Sequence, residues 1–383
     1  MKIAYILPYL QKPSGWRSHS ISFLSAIRRY VEPVLFVSVK DETAARNLFP
    51  ESTIYYLPAT QMASFGSRKG MRELVQSYWT IRRNDFPEVD LVHSLEAYPT
   101  GLVGNWLARK LGSPHVITTH GTYGVIWYER KTDRLAYERV LKRANMICPV
   151  SHGTAQLMQQ YFGKALAKTS LRPIPNGNTF YQIVPRQAAI ERQPPTLPTL
   201  LSVGDIKPRK GQLISLAAFA RVKASRPEAR YFLIGHYKQN DYYKQVQRYI
   251  SEQQLKDVHI MGRISDEELR GYYQTASLFL LTPQQDGLKF EGFGLVYLEA
   301  GAYGLPVVGT RSGGVAEAVK DGETGFLAEP DNVDGIAAAI LRLLDDQELA
   351  GRMGRANRLW AETLTWERNA QEQMKAYHEV LGA

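Results

Sequence analysis

Short apolar runs rich in Val, Ile, Leu and aromatic residues alternate with longer stretches of helical period along the whole chain. In the first half, Ile3 to Leu7, Val34 to Val39, Ile54 to Leu57, Leu91 to Ser94, His115 to Thr119 and Met146 to Val150 predict strands. In the second half Thr199 to Val203, Tyr231 to Ile234, Val258 to Met261, Leu278 to Leu281, Pro306 to Gly309 and Gly325 to Ala328 do the same. Helices are expected between most of the first set, at Ser18 to Arg29, Lys69 to Arg83, Thr100 to Leu111 and Arg134 to Ala144. This alternation predicts two α/β domains built on parallel sheets. The pattern breaks at 184–199, where Pro185, Pro194, Pro195 and Pro198 cluster, so that stretch is expected to be the linker. After Asn332 the chain is helical in period to its end, interrupted by the polar residues Thr363 to Thr365.

A chain of 383 residues exceeds the size at which one core keeps growing, which agrees with two domains. The charge is uneven. Residues 1–190 carry 24 Lys+Arg against 12 Asp+Glu and the remainder 23 against 25, so the first half holds the whole of the +10 excess. Pairs such as Arg68-Lys69, Arg82-Arg83 and Arg130-Lys131 suit an anionic acceptor or an anionic lipid surface, and equally the solvated faces of amphipathic helices. The sole cysteine, Cys148, excludes an intramolecular disulfide, implies a reducing compartment, and falls in a strand where burial is expected. Met1 to Leu10 has one basic residue and a proline at position 8, and reads as a first strand rather than a signal peptide. No apolar run reaches the ~20 residues that a membrane crossing needs. A cytoplasmic protein, soluble or peripheral at the inner membrane surface, is the expectation.

The richest chemistry lies at Glu291-Gly292-Phe293-Gly294-Leu295 through Glu299, directly after a strand. A helix starting there would aim the N–H groups of Gly292, Phe293 and Gly294, with the positive end of its dipole, at an anion above the strand. Eight helical residues would set Glu291 and Glu299 about 12 Å apart along the axis, enough to hold both ends of a ligand as long as a nucleotide sugar. Val203-Gly204 through Lys210-Gly211 likewise follows a strand and precedes a helix from Gln212 to Ala220, placing Lys210 to meet a diphosphate. Ser312-Gly313-Gly314-Val315 opens a further expected helix, running to Lys320. No D-x-D motif and no His/Cys set at metal-ligand spacing is present.

These motifs resemble, in order, those of the family 4 retaining glycosyltransferases. Glu291 and Glu299 match the E-x7-E motif, accompanied by Val203-Gly204 to Lys210-Gly211, Gly262-Arg263, and Ser312 to Glu317 leading into Asp321-Gly322-Glu323-Thr324-Gly325. The likeness is dense from about residue 200 to 330. Earlier it thins to Gly15 and His19, Thr119-His120-Gly121, and Pro175-Asn176-Gly177. The resemblance implies the α/β GT-B fold, in which two Rossmann-like doubly wound domains face a central cleft. The boundaries would be 1–183 on the acceptor side, a linker at 184–199, and a donor domain at 200–365, with a last helix over 366–383 crossing back to the first domain.

By the same resemblance His120 and Glu291 are the catalytic residues, His120 donating a hydrogen bond near the sugar. Gly15, Arg209, Lys210, Gly235, Arg263, Gly292, Phe293, Gly294, Leu295 and Glu299 bind the donor, Glu299 through the ribose hydroxyls, and His19 lies on the acceptor side. The chain departs from the family pattern at four positions. Ser14 replaces a glycine, Arg17 stands where a carboxylate is common, Asp205 where an arginine is usual, and Thr179 where an aspartate usually follows. Arg209 is the candidate substitute for the arginine absent at 205.

The expected activity is retaining transfer of a sugar from a nucleotide sugar, with no metal and no cofactor. UDP-sugars come first as donors and GDP-mannose second. The acceptor is a hydroxyl of a glycan, a lipid-linked glycan or a small molecule, with peripheral contact to an anionic membrane. Two alternatives stand beside it: a nucleotide-sugar-binding protein without catalysis, suggested by the departures, and a GT-B epimerase or synthase. A nucleic-acid partner, suggested by the basic first half alone, lacks any stacking-aromatic or helix-turn-helix signature.

Overall fold

The computed structural model describes residues 1–11, 14–59, 63–193 and 195–382. The chain divides into two units, one of Met1–Gly177 with Trp366–Ala383 and one of Asn178–Thr365. In the first, the apolar runs become strands β1 (Lys2–Ile6), β2 (Glu32–Ser38), β3 (Thr53–Leu57), β4 (Leu91–Ser94), β5 (His115–Thr119), β6 (Met146–Pro149) and β7 (Ser170–Leu171). They form one parallel sheet in the order β3-β2-β1-β4-β5-β6-β7. Every residue of β4, β5 and β6 is buried, as in parallel strands covered on both faces, and this includes the polar His93, Ser94, His115, Thr118 and Thr119. Cys148 lies inside β6, where burial pushes its thiol up to about 12.

The helix Trp366–Leu381 belongs to this unit and packs on the helix Gly15–Ile27. Its Tyr377 hydroxyl meets His93 Nδ1 at 2.6 Å and the Tyr5 hydroxyl at 3.2 Å, deep among the strands.

The second unit holds β8 (Thr199–Val203), β9 (Arg230–Ile234), β10 (Val258–Gly262), β11 (Leu278–Leu280), β12 (Val307–Thr310) and β13 (Gly325–Ala328), all parallel, in the order β10-β9-β8-β11-β12-β13. Each sheet therefore reverses its winding once, beside β1 and β4 in the first and beside β8 and β11 in the second. Loops leaving the carboxyl ends of strands at such a switch point are where ligands bind in doubly wound sheets.

The structure corrects several expectations. The helix that opens the Glu291 segment begins at Leu295, because Gly294 adopts a left-handed φ of +92° as its N-cap. Residues 291–294 are thus loop, the first-turn N–H groups start at Leu295 rather than Gly292, and the 12 Å spacing of an unbroken helix does not apply. The helix after Gly314 is the single turn Val315–Ala318 and stops short of Lys320, since Val319 is extended. Conversely, the helix after Gly211 continues to Ser225. The proline-rich stretch forms the short helix Arg186–Ile190 within the second unit, and the chain divides at Gly177 and Asn178 rather than at 183. Pro194 lies outside the described residues. Strand β7, two half-exposed residues, is too short to carry a period.

Candidate functional site

Both units carry their polar groups at these carboxyl ends. In the second, the loop after β8 turns back under Lys210, whose ammonium reaches Glu291 Oε2 at 2.6 Å. The Arg209 guanidinium donates to the same oxygen at 2.8 Å. Lys210 is buried and the Glu291 side chain is only 13% exposed. Burial raises the Glu291 carboxyl, but the two cations outweigh it and hold it below the usual carboxylate range. Burial, with Arg209 adding to it, pulls the Lys210 ammonium down against the opposing pull of Glu291. The cluster of two cations and one carboxylate is left with one net positive charge, the sign an anion requires.

The glycines here are steric necessities. Gly211 sits at φ +70°, and a Cβ on it would lie 1.8 Å from the Thr282 carbonyl oxygen. Gly235, at the end of β9, would place a Cβ 2.2 Å from the Gly204 oxygen. Ser312-Gly313-Gly314 packs directly on the Glu291 backbone, with the Gly314 N–H donating to the Glu291 carbonyl at 2.9 Å. Asp205, the departure from the family arginine, pairs with Lys207 at 2.9 Å. Burial raises its carboxyl, and Lys207, seconded by His236 and Lys210, brings it below its ordinary value. The second cation beside Lys210 is Arg209.

Glu299 lies four positions into the helix Leu295–Ala302. Burial pushes its carboxyl up to about 7, while the Tyr273 hydroxyl, near it without a formed hydrogen bond, pulls the other way. Phe293 is buried, and Arg263 is exposed just beyond Gly262. Among the described residues no group of three or more His, Cys, Asp or Glu is gathered to hold a metal.

In the first unit, Ser14 turns out to be the N-cap of the helix Gly15–Ile27, its hydroxyl accepting from the Arg17 N–H at 3.2 Å. A Cβ on Gly15 would meet nothing within 4 Å, so that face is open. Arg17 Nε is buried without a partner. His19 is buried between Phe23, His120 and Trp366, with ring centroids 4.4 Å from His120 and 5.1 Å from Trp366.

His120 is less buried, and its Nε2 lies 3.1 Å from the Leu95 carbonyl. A carbonyl only accepts, so Nε2 carries the proton. Burial pushes the ring down to about 4 despite that bond. At neutral pH the ring is therefore neutral and its Nδ1 bare.

One residue escaped sequence reasoning altogether. Glu96, two residues past β4, is buried, with Oε2 accepting from Trp16 Nε1 at 2.8 Å and Oε1 from the Ala97 N–H at 2.7 Å. Burial pushes its carboxyl up to about 8. The only signal was an acid at a strand end inside an apolar stretch. Trp16, pinned by Glu96 and 4.4 Å from the Tyr123 ring, lines a cavity of about 530 Å³ with Tyr9, Lys40 and Lys69 at the carboxyl ends of β1 to β3. A second cavity, about 360 Å³, lies at the amino ends of β8, β11 and β12, the wrong end for a doubly wound sheet's ligand. Neither is lined by Lys210, whose site is assigned on its chemistry.

Two Rossmann-like parallel sheets in one chain, with a cation cluster and obligatory glycines at the switch point of the second, define a GT-B architecture. The family described as Glycosyl transferases group 1 matches residues 184–360, and that described as Glycosyltransferase Family 4 matches residues 25–178. A GDP-mannose-dependent α-(1-6)-phosphatidylinositol monomannoside mannosyltransferase of Mycolicibacterium smegmatis is 30% identical over 84% of this chain and 81% of its own. An uncharacterized glycosyltransferase of Methanocaldococcus jannaschii is 28% identical over 82% of each. The chain belongs to the group 1, family 4 glycosyltransferases and is an enzyme of that kind.

Among solved structures, sucrose-phosphate synthase from Thermosynechococcus elongatus is 22% identical over 100% of this chain and 99% of its own, with a TM-score of 0.75. Anabaena HepE in complex with UDP and glucose is 19% identical over 98% and 99%, with a TM-score of 0.70. At these identities the likeness is one of fold.

Proposed function

We propose that this glycosyltransferase moves mannose from GDP-mannose to a hydroxyl of a lipid-linked or glycan acceptor, with retention of configuration and without a resident metal. The observation that carries the reading is the convergence of Lys210 and Arg209 on Glu291 Oε2 at the switch point of the second sheet. Glu291 holds the two cations ready; a diphosphate then takes their charge-assisted hydrogen bonds as negative charge develops on the leaving group. Glu299, half-buried and protonating near neutrality, would gain hydrogen-bond donors from a ribose diol. His120 accepts a hydrogen bond from a substrate hydroxyl through Nδ1. The departing phosphate assists deprotonation of the attacking hydroxyl on the same face, so the new bond replaces the old with its configuration kept.

GDP-mannose moves ahead of the UDP-sugars that resemblance alone put first, because the Mycolicibacterium relative and a Corynebacterium glutamicum relative, 28% identical over 73% of this chain, are both named for it. The first-unit cavity with Trp16, Tyr9 and Lys69 suits the acceptor, an aromatic face for a ring beside a cation for an anionic group, while Lys40 there is already paired with Glu73.

The test is thermal stabilisation by GDP, UDP and ADP in excess chelator, beside Lys210→Ala and Glu299→Ala. A ligand at a hundred times its Kd stabilises by about 2.7 kcal/mol, a readily measured shift. Selective stabilisation by GDP, weakened in both variants, is expected. Stabilisation by no nucleotide, or full stabilisation in both variants, would overturn the reading. Release of GDP from GDP-mannose on adding acceptor, with the product's anomeric proton read by NMR, then tests transfer and retention.

A further inference from the structure

The cavity of about 360 Å³ at the amino ends of β8, β11 and β12 lies wholly within the second unit, at the other end of the sheet from Lys210. Ser277 and Pro306 line it directly before β11 and β12. Ile190, Leu343 and Leu344 add apolar walls, and Thr196 and Gln347 add a hydroxyl and an amide. Its volume stands at the low end of the range of small-molecule sites.

Two cations line the same space. Arg192 is half-buried, and its Nη2 donates to the Gln274 carbonyl at 3.1 Å and to that of Ala276, closing the end of the helix Asp266–Thr275. Its Nε is buried and has no partner among the described residues. Burial pulls this guanidinium down to about 10, with no carboxylate offsetting it. A buried donor without an acceptor is costly, more so on a charged group, and native folds nearly always satisfy such donors. Arg355 is exposed on the helix Gln347–Thr363. Its Nη1 lies 3.3 Å from where a Cβ on Gly351, another residue of the cavity wall, would stand. Its helix neighbours Arg352 and Arg358 pair with Glu348 and Glu362, whereas Arg355 pairs with no acid among the described residues. Glu348, the acid of the lining, is thereby already held, at 2.7 Å.

We propose that this cavity binds a small phosphate monoester, its phosphate taken by Arg192 Nε and the Arg355 guanidinium and its hydroxylated body lying against the walls, as a ligand separate from the sugar donor and the acceptor. Two guanidiniums without a carboxylate of their own leave two positive charges to be met. A phosphate monoester carries about −1.5 to −2 near pH 7 and presents three acceptor oxygens, and guanidinium is the side-chain group whose donors match such an oxyanion. A carboxylate supplies one charge and two oxygens, half of what the pair can take. Hydroxyl and amide groups set between apolar walls suit a short polyol, whose hydroxyls bond the first and whose carbons cover the second. None of these residues belongs to the Lys210 cluster, so the inference is independent of donor and acceptor.

The test is calorimetric titration of the full chain with glycerol 3-phosphate, inorganic phosphate, malonate and glycerol at fixed ionic strength, beside Arg355→Gln, Arg192→Lys and Lys210→Ala. Glycerol 3-phosphate is expected to bind, inorganic phosphate more weakly, and malonate and glycerol not measurably. Arg355→Gln should weaken the binding by about tenfold or more, the worth of one charge-assisted bond. Arg192→Lys keeps the charge but has no Nε–H, and should weaken it comparably. Lys210→Ala should bind as the wild type does. Arg355 is exposed, so Arg355→Gln should melt with the wild type, and its loss of binding would not be a loss of fold. No binding of either phosphate with a Kd below about 1 mM, or wild-type binding in both arginine variants, overturns the proposal. Loss of binding in Lys210→Ala would put the phosphate in the donor site and overturn it as well. So would malonate binding more tightly than both phosphates.

Discussion

Removing Lys210 and Arg209 separately and together should expose how Glu291 is held. Both cations bond the same oxygen, Oε2, at 2.6 and 2.8 Å. In Lys210→Ala the carboxylate keeps Arg209, and the burial that weighs on the ammonium is relieved, so the cost to stability should be about 1 kcal/mol or less. Arg209→Ala should be similar, because Lys210 remains. The double variant leaves a carboxylate that is 13% exposed with neither cation, and should cost about 3–5 kcal/mol. The excess over the sum of the singles, at least about 1–3 kcal/mol, is the signature of two cations sharing one anion.

The pH dependence should change sign as well. In the wild type the Glu291 carboxyl is held low. Its contribution is therefore present above the unfolded value near 4.5 and lost as pH falls through the folded one. With both cations gone only burial remains and the folded value rises, so stability is lost as pH increases above about 4.5. Urea midpoints of the four proteins at pH 5 and pH 8 measure both effects, and GDP titrations alongside should show affinity falling in the singles while stability hardly moves. Additive singles and double, or a double variant as stable as the wild type, would refute the claim that these cations hold Glu291.

Other consequences are as direct. Glu299 protonates at about 7 in the free protein, and ribose hydroxyls bonding its carboxylate would lower that value; nucleotide binding should then release a proton and tighten with rising pH through 7, which calorimetry in buffers of different ionisation enthalpy reads, and the effect should vanish in Glu299→Gln. The Glu96 carboxyl, raised from 4.5 to about 8, gives stability that is full at acid pH and lost as pH rises through 8. Glu96→Gln should be less stable than wild type at pH 5 by about 1–3 kcal/mol, since its amide opposes one of the two N–H donors, and because the wild type loses about 4–5 kcal/mol between pH 4.5 and 8 the order should reverse by pH 9, as thermal melts across the range would show. Gly211→Ala, which drives a Cβ to 1.8 Å from a backbone oxygen at φ +70°, should cost about 3 kcal/mol or more; a urea midpoint within error of wild type would mean the loop has another conformation.

The strands were legible because parallel strands buried on both faces are short, largely apolar and without the alternation of a half-exposed strand; β4 and β5 span the residues their runs predicted, although each also buries polar residues such as His93 and Thr118. The helix starts were less so. Glu291 to Gly294 looked like a first turn, but the left-handed Gly294 delays the helix to Leu295, and no residue count announces which glycine of a pair takes φ > 0. The partnership of Lys210 with Glu291 spans 81 positions and comes only from β8 and β11 lying side by side. Glu96 and Trp16, 80 positions apart, met through β1 and β4 in the same way and carried no motif. The tautomer of His120 depends on a carbonyl that sequence does not place.

The four departures from the family pattern are where resemblance and physics part most usefully. Read as losses, they argued for a scaffold without catalysis. The structure gives two of them local employment. Ser14 forfeits a glycine's freedom and caps the helix Gly15–Ile27 with its hydroxyl, leaving the open face at Gly15 untouched. Asp205 removes a cation, yet its carboxylate binds Lys207, while Arg209 from the following turn brings a guanidinium to the oxygen that Lys210 already holds. The net charge of the Lys210 cluster is thereby kept positive by a residue four positions away from the one the motif leads one to inspect. Arg17, with a buried Nε lacking a partner, has no such account within the fold. Its donor is spare at the same helix start that carries Gly15, where an anionic group of a substrate would satisfy it. Arg17→Gln should accordingly leave folding intact and weaken substrate binding, whereas Ser14→Ala should cost about 1 kcal/mol of stability through the lost cap and leave binding nearly unchanged.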